Sequence, residues 1–371
     1  MAAVVFSFPT TILFGAGSVQ ELRERCQSLA ANKPLIVTDP GLLPTAAFEK
    51  TRKAAPDGAQ VFSETQSNPT AANVDAAVAK YREQGCDSVI ALGGGSAIDV
   101  GKIVRLAVKL PNWKLGQALP SDPINELPAF IAIPTTAGTG SEVGRSSVIT
   151  IGAQKQVIFH KSLLAKLVVL DPELTINLPA KLTAATGADA LTHCIESFTS
   201  PEFQPFCDGI ALEGIRLIAQ ALPKAVREPK DLDARGKMLI AATMGGVAFQ
   251  KDLGAAHSLA HPLSAICHLH HGLANALVLP FVMRFNAKRK PGVYVRVGEA
   301  MGLKPSSDEL TIAAVVSLLR EIGISPGLRQ HGVRDDQLNA LTDQAFADIC
   351  HKTNPVPVTR TDLYDLYRQA L

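Results

Sequence analysis

The sequence lacks the two features that would tie a chain to a membrane or to nucleic acid. None of its apolar runs approaches the roughly 20 residues that an α-helix needs to span a bilayer. Its acidic and basic residues nearly balance, with a formal net charge of +2 at pH 7, and its one basic run is KRK at residues 288–290. We therefore expect neither a membrane nor a nucleic acid as a partner.

The sequence also lacks paired cysteines, a leader pattern and internal repeats. Its six cysteines are scattered without a CxxC pair, which favours reduced thiols in a cytoplasmic protein. The first 17 residues have no basic segment and contain Pro9, so they predict a strand and a turn rather than a signal peptide. With 371 residues, 47% of them hydrophobic, the chain can form two domains with sizeable cores.

The first half of the chain alternates short apolar runs with helical patterns. The runs lie at residues 34–38, 60–63, 88–92, 129–133, 147–151 and 166–170. Such alternation predicts a parallel sheet with helices on both faces, here a Rossmann-like α/β domain over residues 1–178. The fifth run suggests a hairpin and the sixth a return to the sheet.

Long helical periods replace this alternation after a change of composition near residues 171–179. They lie at residues 180–199, 208–227, 231–249, 254–266, 272–287, 308–323 and 335–349. The sequence therefore predicts an all-helical second domain over residues 179–371.

A glycine-rich turn, GGGS at residues 93–96, stands between a predicted strand and a predicted helix. Glycines let a backbone approach a phosphate closely, and the start of the helix offers free N–H groups and the positive end of its dipole. Gly94, Gly95 and Ser96 are therefore candidate phosphate-binding residues. The alternative is an ordinary tight turn, and the segment is not a GxGxxG motif.

Two further stretches follow predicted strands and are cofactor candidates. Asp39 ends the first clear strand, where a carboxylate can bind a ribose 2′-hydroxyl and repel a 2′-phosphate, which favours NAD over NADP; alternatively, it is a turn residue before Pro40. The loop TTAGTGS at residues 135–141 offers hydroxyls to a nicotinamide ribose or a phosphate. Its candidates are Thr135, Thr136, Thr139 and Ser141.

Asp99 and Lys102 follow the GGGS turn in the next predicted helix. Asp99 falls in the first turn, where the helix dipole favours a negative charge. A cofactor role for Asp99 and stabilisation of the helix end are equally consistent with this position.

The clearest candidates for metal ligands lie in the second half of the chain. Asp189 and His193 are four residues apart on a helical pattern, as are His257 and His261, and His271 follows ten residues later. Residues four apart share one helix face. Imidazole and carboxylate groups among Ala, Leu and Gly would be costly to bury without partners. Their spacing therefore predicts a metal site, and a donor set without thiolate suits Fe²⁺ or Zn²⁺.

A dinucleotide and such a metal together indicate a dehydrogenase. The metal would act as a Lewis acid on an alcohol or carbonyl oxygen. By lowering the pKa of the alcohol, it would favour the alkoxide from which hydride passes to the nicotinamide.

Several motifs together resemble the iron-containing (group III) alcohol dehydrogenase family over essentially the full length. They are GGGSAIDVGK at 93–102, PTTAGTGSEV at 134–143, GADALTHCIES at 187–197, HSLAHPLSAICHLHHGLANALVLP at 257–280 and HKTNP at 351–355. The resemblance implies the fold shared with dehydroquinate synthase, and metal ligation by Asp189, His193, His257 and His271. It also implies that His261 is not a ligand but lies near the nicotinamide as a candidate proton relay. It strengthens the assignment of Asp39 to the NAD ribose.

Within the family, the chain is most similar to 4-hydroxybutyrate dehydrogenases, through segments such as SNPTAANV at 67–74 and CHKTNP at 350–355. This similarity implies conversion of an ω-hydroxy acid to its semialdehyde. A carboxylate substrate needs a cation, and Arg145, His160 and Lys161 are the candidates; alternatively, they are ordinary surface charges.

Other functions remain open. One keeps the chemistry but uses a short-chain primary alcohol, a diol, or an aldehyde bearing a phosphonate or sulfonate. A lyase of the dehydroquinate synthase type is disfavoured because Asp189 with His193 does not match its metal set. A nucleotide sensor without activity is disfavoured by the intact ligand set. The resemblance also implies a homodimer or larger homo-oligomer through an edge strand, which residues 6–14 could supply.

Overall fold

The structure, a computed structural model, describes residue 8, residues 10–152 and residues 154–371. These residues form two compact units. One comprises Phe8–Thr136 and Gly140–Leu178, and the other comprises Ala137–Thr139 and Pro179–Leu371. The long segment of the second unit thus begins at Pro179, and a short piece of the loop at 135–141 also belongs to that unit.

The first unit is built on a six-stranded sheet in which every neighbouring pair of strands is parallel. The strands of this unit are β1 (Thr11–Phe14), β2 (Pro34–Val37), β3 (Gln60–Phe62), β4 (Ser88–Gly93), β5 (Ala129–Pro134), β6 (Ser146–Ile151), β7 (Gln154–Phe159) and β8 (Leu167–Leu170). The sheet order is β1-β8-β5-β4-β2-β3, and β6 and β7 form a separate antiparallel hairpin. The predicted Rossmann-like α/β class is therefore confirmed.

The inner strands of the sheet are apolar on both faces, as expected for a parallel sheet whose two sides are covered by helices. All residues of β2, β4 and β8 are buried. The helices that connect the strands are α1 (Leu22–Ser28), α2 (Ala46–Ala54), α3 (Ala71–Glu83) and α4 (Gly95–Lys109). The strand predicted over residues 6–14 falls partly outside the described residues. Its described part, β1, lies at one edge of the sheet, where the contact between copies remains a prediction.

The second unit is helical throughout its described elements. Its helices are α5 (Ala180–Thr199), α6 (Pro205–Arg227), α7 (Leu232–Ala248), α8 (Ala255–Ile266), α9 (His271–Arg289), α10 (Val295–Ala300), α11 (Asp308–Glu321), α12 (Leu338–Ala347) and α13 (Arg360–Ala370). They share one apolar core to which α5, α8 and α9 contribute buried Leu and Ala residues. The predicted all-helical class is confirmed.

Four helices differ clearly from the sequence prediction. Helix α6 begins at Pro205 rather than 208. Helix α12 begins at Leu338 rather than 335, because a short 3-10 turn at Asp335–Gln337 precedes it. Helices α10 and α13 were not predicted. The latter begins with a capping box between Thr359 and Asp362, a signal that the sequence carries. Among the helices that the structure describes, none is long and apolar enough to cross a bilayer.

Asp171 ties the end of β8 to the turn after β1. Its side chain accepts hydrogen bonds from the backbone N–H groups of Gly17 at 3.1 Å, Val19 at 3.0 Å and Glu173 at 3.0 Å. Asp171 is fully buried. Its carboxylate therefore satisfies donors on two segments more than 150 residues apart.

We expect Asp171→Ala to lower the free energy of unfolding by about 3 kcal/mol, because buried donors that lose their acceptor cost about 1–3 kcal/mol each. Urea denaturation followed by circular dichroism measures the change. The control is Asp75→Ala, which removes an exposed carboxylate from the same unit and should cost less than about 0.5 kcal/mol. Equal midpoints for the two variants would contradict this role of Asp171.

Candidate active site

A group of side chains that could hold a metal ion, called here the metal-binding group, lies inside the helical unit. Asp189 on α5, His257 on α8 and His271 at the start of α9 each place a potential ligand atom within 4.8 Å of the others. Asp189 Oδ1 lies 3.9 Å from His257 Nε2 and 3.5 Å from His271 Nε2. The structure therefore brings together three residues that the sequence places on three different helices.

Two glycines allow these helices to approach closely. A Cβ on Gly272 would lie 2.1 Å from the carbonyl oxygen of Ala185 and 2.9 Å from Asp189 Cβ. A Cβ on Gly254, just before α8, would lie 2.7 Å from Glu196 Oε1. Both distances are too short for any side chain, so glycine at these positions permits the contacts of α9 and of the start of α8 with α5.

Asn275 shows that the donor atoms converge on one point. Its buried amide nitrogen lies 2.8 Å from Asp189 Oδ1, 3.1 Å from His257 Nε2 and 3.2 Å from His271 Nε2. An amide offers two hydrogens, yet three electron-pair donors face it. A carboxylate and imidazole nitrogens gathered in this way fit a divalent metal such as iron or zinc.

His193, the fourth predicted ligand, lies beside this group but is not part of it. Its ring stacks on that of His257, with centroids 4.7 Å apart, and its buried Nδ1 has no hydrogen-bond partner among the described residues. Burial lowers the pKa of His193 to about 4, despite the opposing effect of Asp189. The ring is therefore neutral near pH 7, the form that binds a metal. Its ligation stays a prediction.

Glu196, which the sequence analysis missed, fixes the ring of His257. Its Oε2 lies 2.6 Å from His257 Nδ1, and its Oε1 accepts a hydrogen bond from Ala256 N at 2.7 Å. Burial opposes a charged ring, but the carboxylate outweighs this effect and raises the pKa of His257. Because Nδ1–H donates to Glu196, the lone pair of Nε2 faces the metal-binding group. The available signal was position, since Glu196 lies seven residues after Asp189 on the same helix face.

His261, the candidate proton relay, stands one turn after His257 on α8. Its ring stacks on that of His271, with centroids 5.3 Å apart and an interplanar angle of 14°. Its Nδ1 lies 2.7 Å from Asp348 Oδ2, and about a third of the side chain is exposed (35%).

The first unit holds the predicted phosphate-binding turn in a suitable form. Strand β4 ends at Gly93 and helix α4 begins at Gly95. Gly93 has φ near +152°, and a Cβ there would lie 2.8 Å from Ala97 Cβ, so only glycine fits. Gly94 caps the helix without a side chain, and Ser96 Oγ donates to Ser67 O at 2.7 Å. The N–H groups at the start of α4 therefore form a candidate anion site.

Asp39 lies next to this turn because β2 and β4 are neighbours in the sheet. Its Oδ1 accepts from the N–H groups of Gly41 at 2.9 Å and Leu42 at 3.2 Å. Its Oδ2 lies 3.6 Å from the position that a Cβ on Gly93 would take. One oxygen thus supports the turn while the other is directed at the glycine segment, so the turn role and the ribose role are compatible.

The predicted threonines follow β5, the other neighbour of β4. Thr135 is buried and its N–H donates to Gly93 O at 3.0 Å. Thr136 Oγ1 lies 3.4 Å from the Cβ position of Gly94. Thr139 belongs to the helical unit. Thr135 and Thr136 therefore flank the glycine turn, and their contact with the cofactor stays a prediction.

Asp99 and Ser141 lie in a buried network rather than at an open surface. Asp99 Oδ1 accepts from Ser141 Oγ at 2.6 Å, and Oδ2 accepts from Val148 N at 2.9 Å. Lys102 Nζ donates to Ser141 Oγ at 2.9 Å and to Ser146 O at 2.7 Å. These bonds join α4 to Ser141 and to strand β6, which favours the structural alternative for Asp99.

The three candidate substrate cations have different surroundings in the first unit. His160 is buried; its Nδ1 accepts from Ser162 N, and its Nε2 lies 3.0 Å from Pro120 O and 3.1 Å from Asp122 O. The guanidinium of Arg145 lies over the ring of Phe159, 5.6 Å from its centroid. Lys161 is exposed. His160 therefore holds its own loop together, while Arg145 and Lys161 remain candidates.

We expect Glu196→Gln to weaken metal binding by about 10- to 100-fold, because a partner that orients a ligating histidine has an effect of that size. Competition for Zn²⁺ against a chromophoric chelator measures the dissociation constant. Glu202→Gln, which changes an exposed carboxylate beyond the end of α5, is the control and should bind like the unmodified protein. An unchanged dissociation constant for Glu196→Gln would show that Glu196 does not act through His257.

Comparison with known proteins relates this site to a family. The chain matches the family model for iron-containing alcohol dehydrogenase over residues 9–172, and the model for the C-terminal part of the Fe-containing alcohol dehydrogenase family over residues 183–371. It is 40% identical to a 4-hydroxybutyrate dehydrogenase of Cupriavidus necator, over 98% of both chains.

Two solved structures resemble the chain over nearly its full length. A 1,3-propanediol oxidoreductase superposes with a TM-score of 0.93 at 35% identity, covering 99% of this chain and 100% of the other. A sulfoacetaldehyde reductase from Bifidobacterium kashiwanohense, solved in complex with NAD⁺, superposes with a TM-score of 0.91 at 30% identity. The match covers 100% of this chain and 99% of the reductase. The chain therefore belongs to the iron-containing alcohol dehydrogenase family and is an oxidoreductase.

Proposed function

We propose that the chain is an NAD(H)-dependent and divalent-metal-dependent dehydrogenase that interconverts an ω-hydroxy acid and its semialdehyde. The proposed pair is 4-hydroxybutyrate and succinic semialdehyde. The observation that carries the metal-dependent chemistry is the convergence of Asp189, His257 and His271 on one buried point. The choice of substrate is supported by the relative named 4-hydroxybutyrate dehydrogenase.

Iron, or alternatively zinc, would be held by Asp189, His257 and His271, with His193 as the proposed fourth ligand. Bound there, the metal supplies a Lewis acid for the alcohol or carbonyl oxygen. Glu196 keeps the Nε2 lone pair of His257 directed at the site through the hydrogen bond at Nδ1. Asp189, His193 and His257 are buried, which strengthens their electrostatic interactions, while 30% of the His271 side chain is exposed.

The nucleotide would bind in the first unit. The N–H groups at the start of α4 suit its diphosphate, and the glycines at 93–95 let the backbone approach it. Asp39 would accept a hydrogen bond from the adenosine ribose and repel a 2′-phosphate. The sulfoacetaldehyde reductase of the same fold was solved with NAD⁺, which supports the choice of NAD for this chain.

An ω-carboxylate requires a cation, and Arg145 is the first choice. A guanidinium binds a carboxylate through two parallel hydrogen bonds. Lys161 is exposed, so it would gain less from such a contact than a partly buried Arg. His160 is the weakest of the three because both of its ring nitrogens already have partners in its own loop.

A second candidate substrate class keeps the same chemistry. Relatives of this fold are named for 1,3-propanediol and for sulfoacetaldehyde, so a diol, a short-chain alcohol or a sulfonate or phosphonate aldehyde is the alternative. A lyase of the dehydroquinate synthase type would consume no net NADH. Net oxidation of NADH by an aldehyde separates this class from the proposed one.

We expect the protein, loaded anaerobically with Fe²⁺ or Zn²⁺, to reduce succinic semialdehyde with a kcat/KM at least about 10-fold above that for butyraldehyde. Butyraldehyde has the same chain length but no charge, and one charge-assisted bidentate contact is worth more than the 1.4 kcal/mol that corresponds to tenfold. NADH oxidation followed by absorbance measures both rates. Treatment with a chelator should abolish them, and either metal should restore them.

The matched variants for this measurement are Arg145→Ala and Lys161→Ala. Arg145→Ala should raise the KM for succinic semialdehyde about 10-fold or more and leave the KM for butyraldehyde unchanged. Lys161→Ala should leave both KM values nearly unchanged. Equal kcat/KM values for the two aldehydes would indicate a general alcohol dehydrogenase that has no pocket for an anionic group. If Arg145→Ala left the KM unchanged while the preference persisted, the cation would be another residue.

We expect Asp39→Ser to raise the ratio of kcat/KM for NADPH over NADH by about 10-fold or more. The substitution removes the charge that repels a 2′-phosphate, while a hydroxyl can still accept the turn hydrogen bonds. Asp57→Ser, which changes an exposed carboxylate of the same unit, is the control. An unchanged ratio would mean that Asp39 acts only in its turn.

A further inference from the structure

Helix α8 presents two imidazole rings one turn apart, and each ring is hydrogen-bonded through Nδ1 to a carboxylate from another part of the chain. His257 pairs with Glu196 of α5, and His261 pairs with Asp348, 87 residues later in the sequence. Asp348 directly follows α12. The first pair belongs to the metal-binding group, whereas the second joins the candidate proton relay to a carboxylate, Asp348, that has no role in the chemistry described above.

Asp348 is held in place by hydrogen bonds on its second oxygen. Its Oδ1 accepts from Ser258 Oγ at 2.9 Å and from the N–H of Cys350 at 2.8 Å. Ser258 is fully buried, and its hydroxyl in turn accepts from His351 N at 2.8 Å. Two segments, α8 through Ser258 and the turn that begins at Cys350, therefore fix the carboxylate, and its Oδ2 is left to accept the hydrogen bond of the His261 ring.

This arrangement determines which nitrogen of His261 carries a hydrogen. Although burial opposes ionisation, the hydrogen bonds from His261 and from Cys350 hold the pKa of Asp348 below its usual range. An ionised carboxylate only accepts hydrogen bonds, so His261 Nδ1 must be the donor at 2.7 Å. In the neutral ring, Nε2 then carries the lone pair.

The position of the ring is fixed as well as its tautomer. One face of His261 stacks on His271 at 5.3 Å between centroids, and the ring edge is tied to Asp348. A side chain with about a third of its surface exposed (35%) would otherwise have freedom to rotate. The lone pair of Nε2 is therefore presented beside the metal-binding group in one orientation.

We propose that Asp348 is the positioning residue of His261, fixing the orientation and the Nδ1–H tautomer in which this histidine takes part in the dehydrogenase reaction. The proposal rests on the proposed function for the role of His261, but the hydrogen bond itself does not. A carboxylate that holds a histidine in this way controls the tautomer without contacting the substrate.

The same side chains could alternatively form a second metal site, because one ligand atom each of His261, Asp348 and Cys350 lies within 4.8 Å of the others. Two observations favour the positioning role. Both oxygens of Asp348 already accept hydrogen bonds. Burial, together with the nearby Asp348 carboxylate, raises the pKa of the Cys350 thiol well above its ordinary value, so the thiolate that a metal requires is disfavoured.

The test uses Asp348→Asn, which keeps the shape of the side chain but inverts its hydrogen bonding toward His261. The asparagine oxygen can still accept the hydrogen bonds from Ser258 and Cys350. Its NH₂ group would face the ring of His261 and donate to Nδ1, which must then be unprotonated. The expected result is a kcat lower by about 100-fold or more, with KM and metal content within about twofold. The matched control is Asp343→Asn on the same helix, an exposed residue paired with Arg360, which should retain full activity.

A double-variant comparison separates positioning from simple stabilisation. Asp348→Asn should add no further loss of kcat in a His261→Gln background, because the histidine on which it acts is gone. If instead Asp348→Asn cost the same factor with and without His261, the residue would act on the fold or on the metal group, and the proposal would be overturned. Thermal melting of each variant with Zn²⁺ bound reports any loss of the fold.

A measurement that needs no substrate tests the hydrogen bond directly. In Zn²⁺-loaded protein with isotope-labelled histidine, nitrogen NMR should show His261 protonated at Nδ1, and at Nε2 in Asp348→Asn; the His261→Gln spectrum assigns the signal. An Nε2–H tautomer in the unmodified protein, or two Zn²⁺ ions per chain by metal analysis, would overturn the proposal. If no aldehyde were reduced but the NMR result held, the proposed function would fail while the positioning would stand.

Discussion

The helical unit depends on the cost of burying imidazole rings and carboxylates in an apolar core. Each such group would be strongly destabilising alone, so the fold supplies partners. Glu196 faces His257, Asp348 faces His261, and the amide of Asn275 faces three donors at once. The same pairings that make burial tolerable also fix which nitrogen of each ring carries a lone pair. The same hydrogen bonds therefore stabilise the buried side chains and set the direction of their lone pairs.

Close packing of the helices is the second requirement, because hydrogen bonds of 2.6–2.8 Å tolerate little displacement. Gly272 and Gly254 lie where a Cβ would collide with α5. The small residues of α5, such as Ala185, accept this approach. The geometry of the site therefore depends on the two glycines as well as on the residues that carry functional groups.

Much of this architecture was predictable because it follows from local periodicity. The alternation of apolar runs with helical patterns predicted the parallel sheet, and the spacing of four residues predicted that Asp189 and His257 would lie on helix faces. Helix α13 was missed although its sequence carries two signals, a capping box between Thr359 and Asp362 and buried apolar residues at helical spacing, among them Leu363, Leu366 and Tyr367. The GGGS turn was recognised because three consecutive glycines between a strand and a helix are uncommon.

The partners of the histidines could not be found in the same way. Glu196 lies close to Asp189 in the sequence, but acidic residues are common on helices and nothing in the pattern distinguishes it. Asp348 lies 87 residues from His261, and only the folded chain brings the two together. Asp99 is a different case, because its position in the sequence fitted a cofactor role and a structural role equally, and the folded chain places its carboxylate in a buried hydrogen-bond network.

The residues proposed for the reaction and for the substrate differ in how they are held, which would allow one fold to serve relatives named for different alcohols and aldehydes. Asp189 and His257 are buried and share Asn275 as a partner, so a change at one of them disturbs the other. Arg145 packs on Phe159 of the hairpin formed by β6 and β7, and Lys161 is exposed. An exposed residue can be exchanged at little cost in stability. In this proposal, the substrate range can change through such surface positions while the buried donors preserve the reaction.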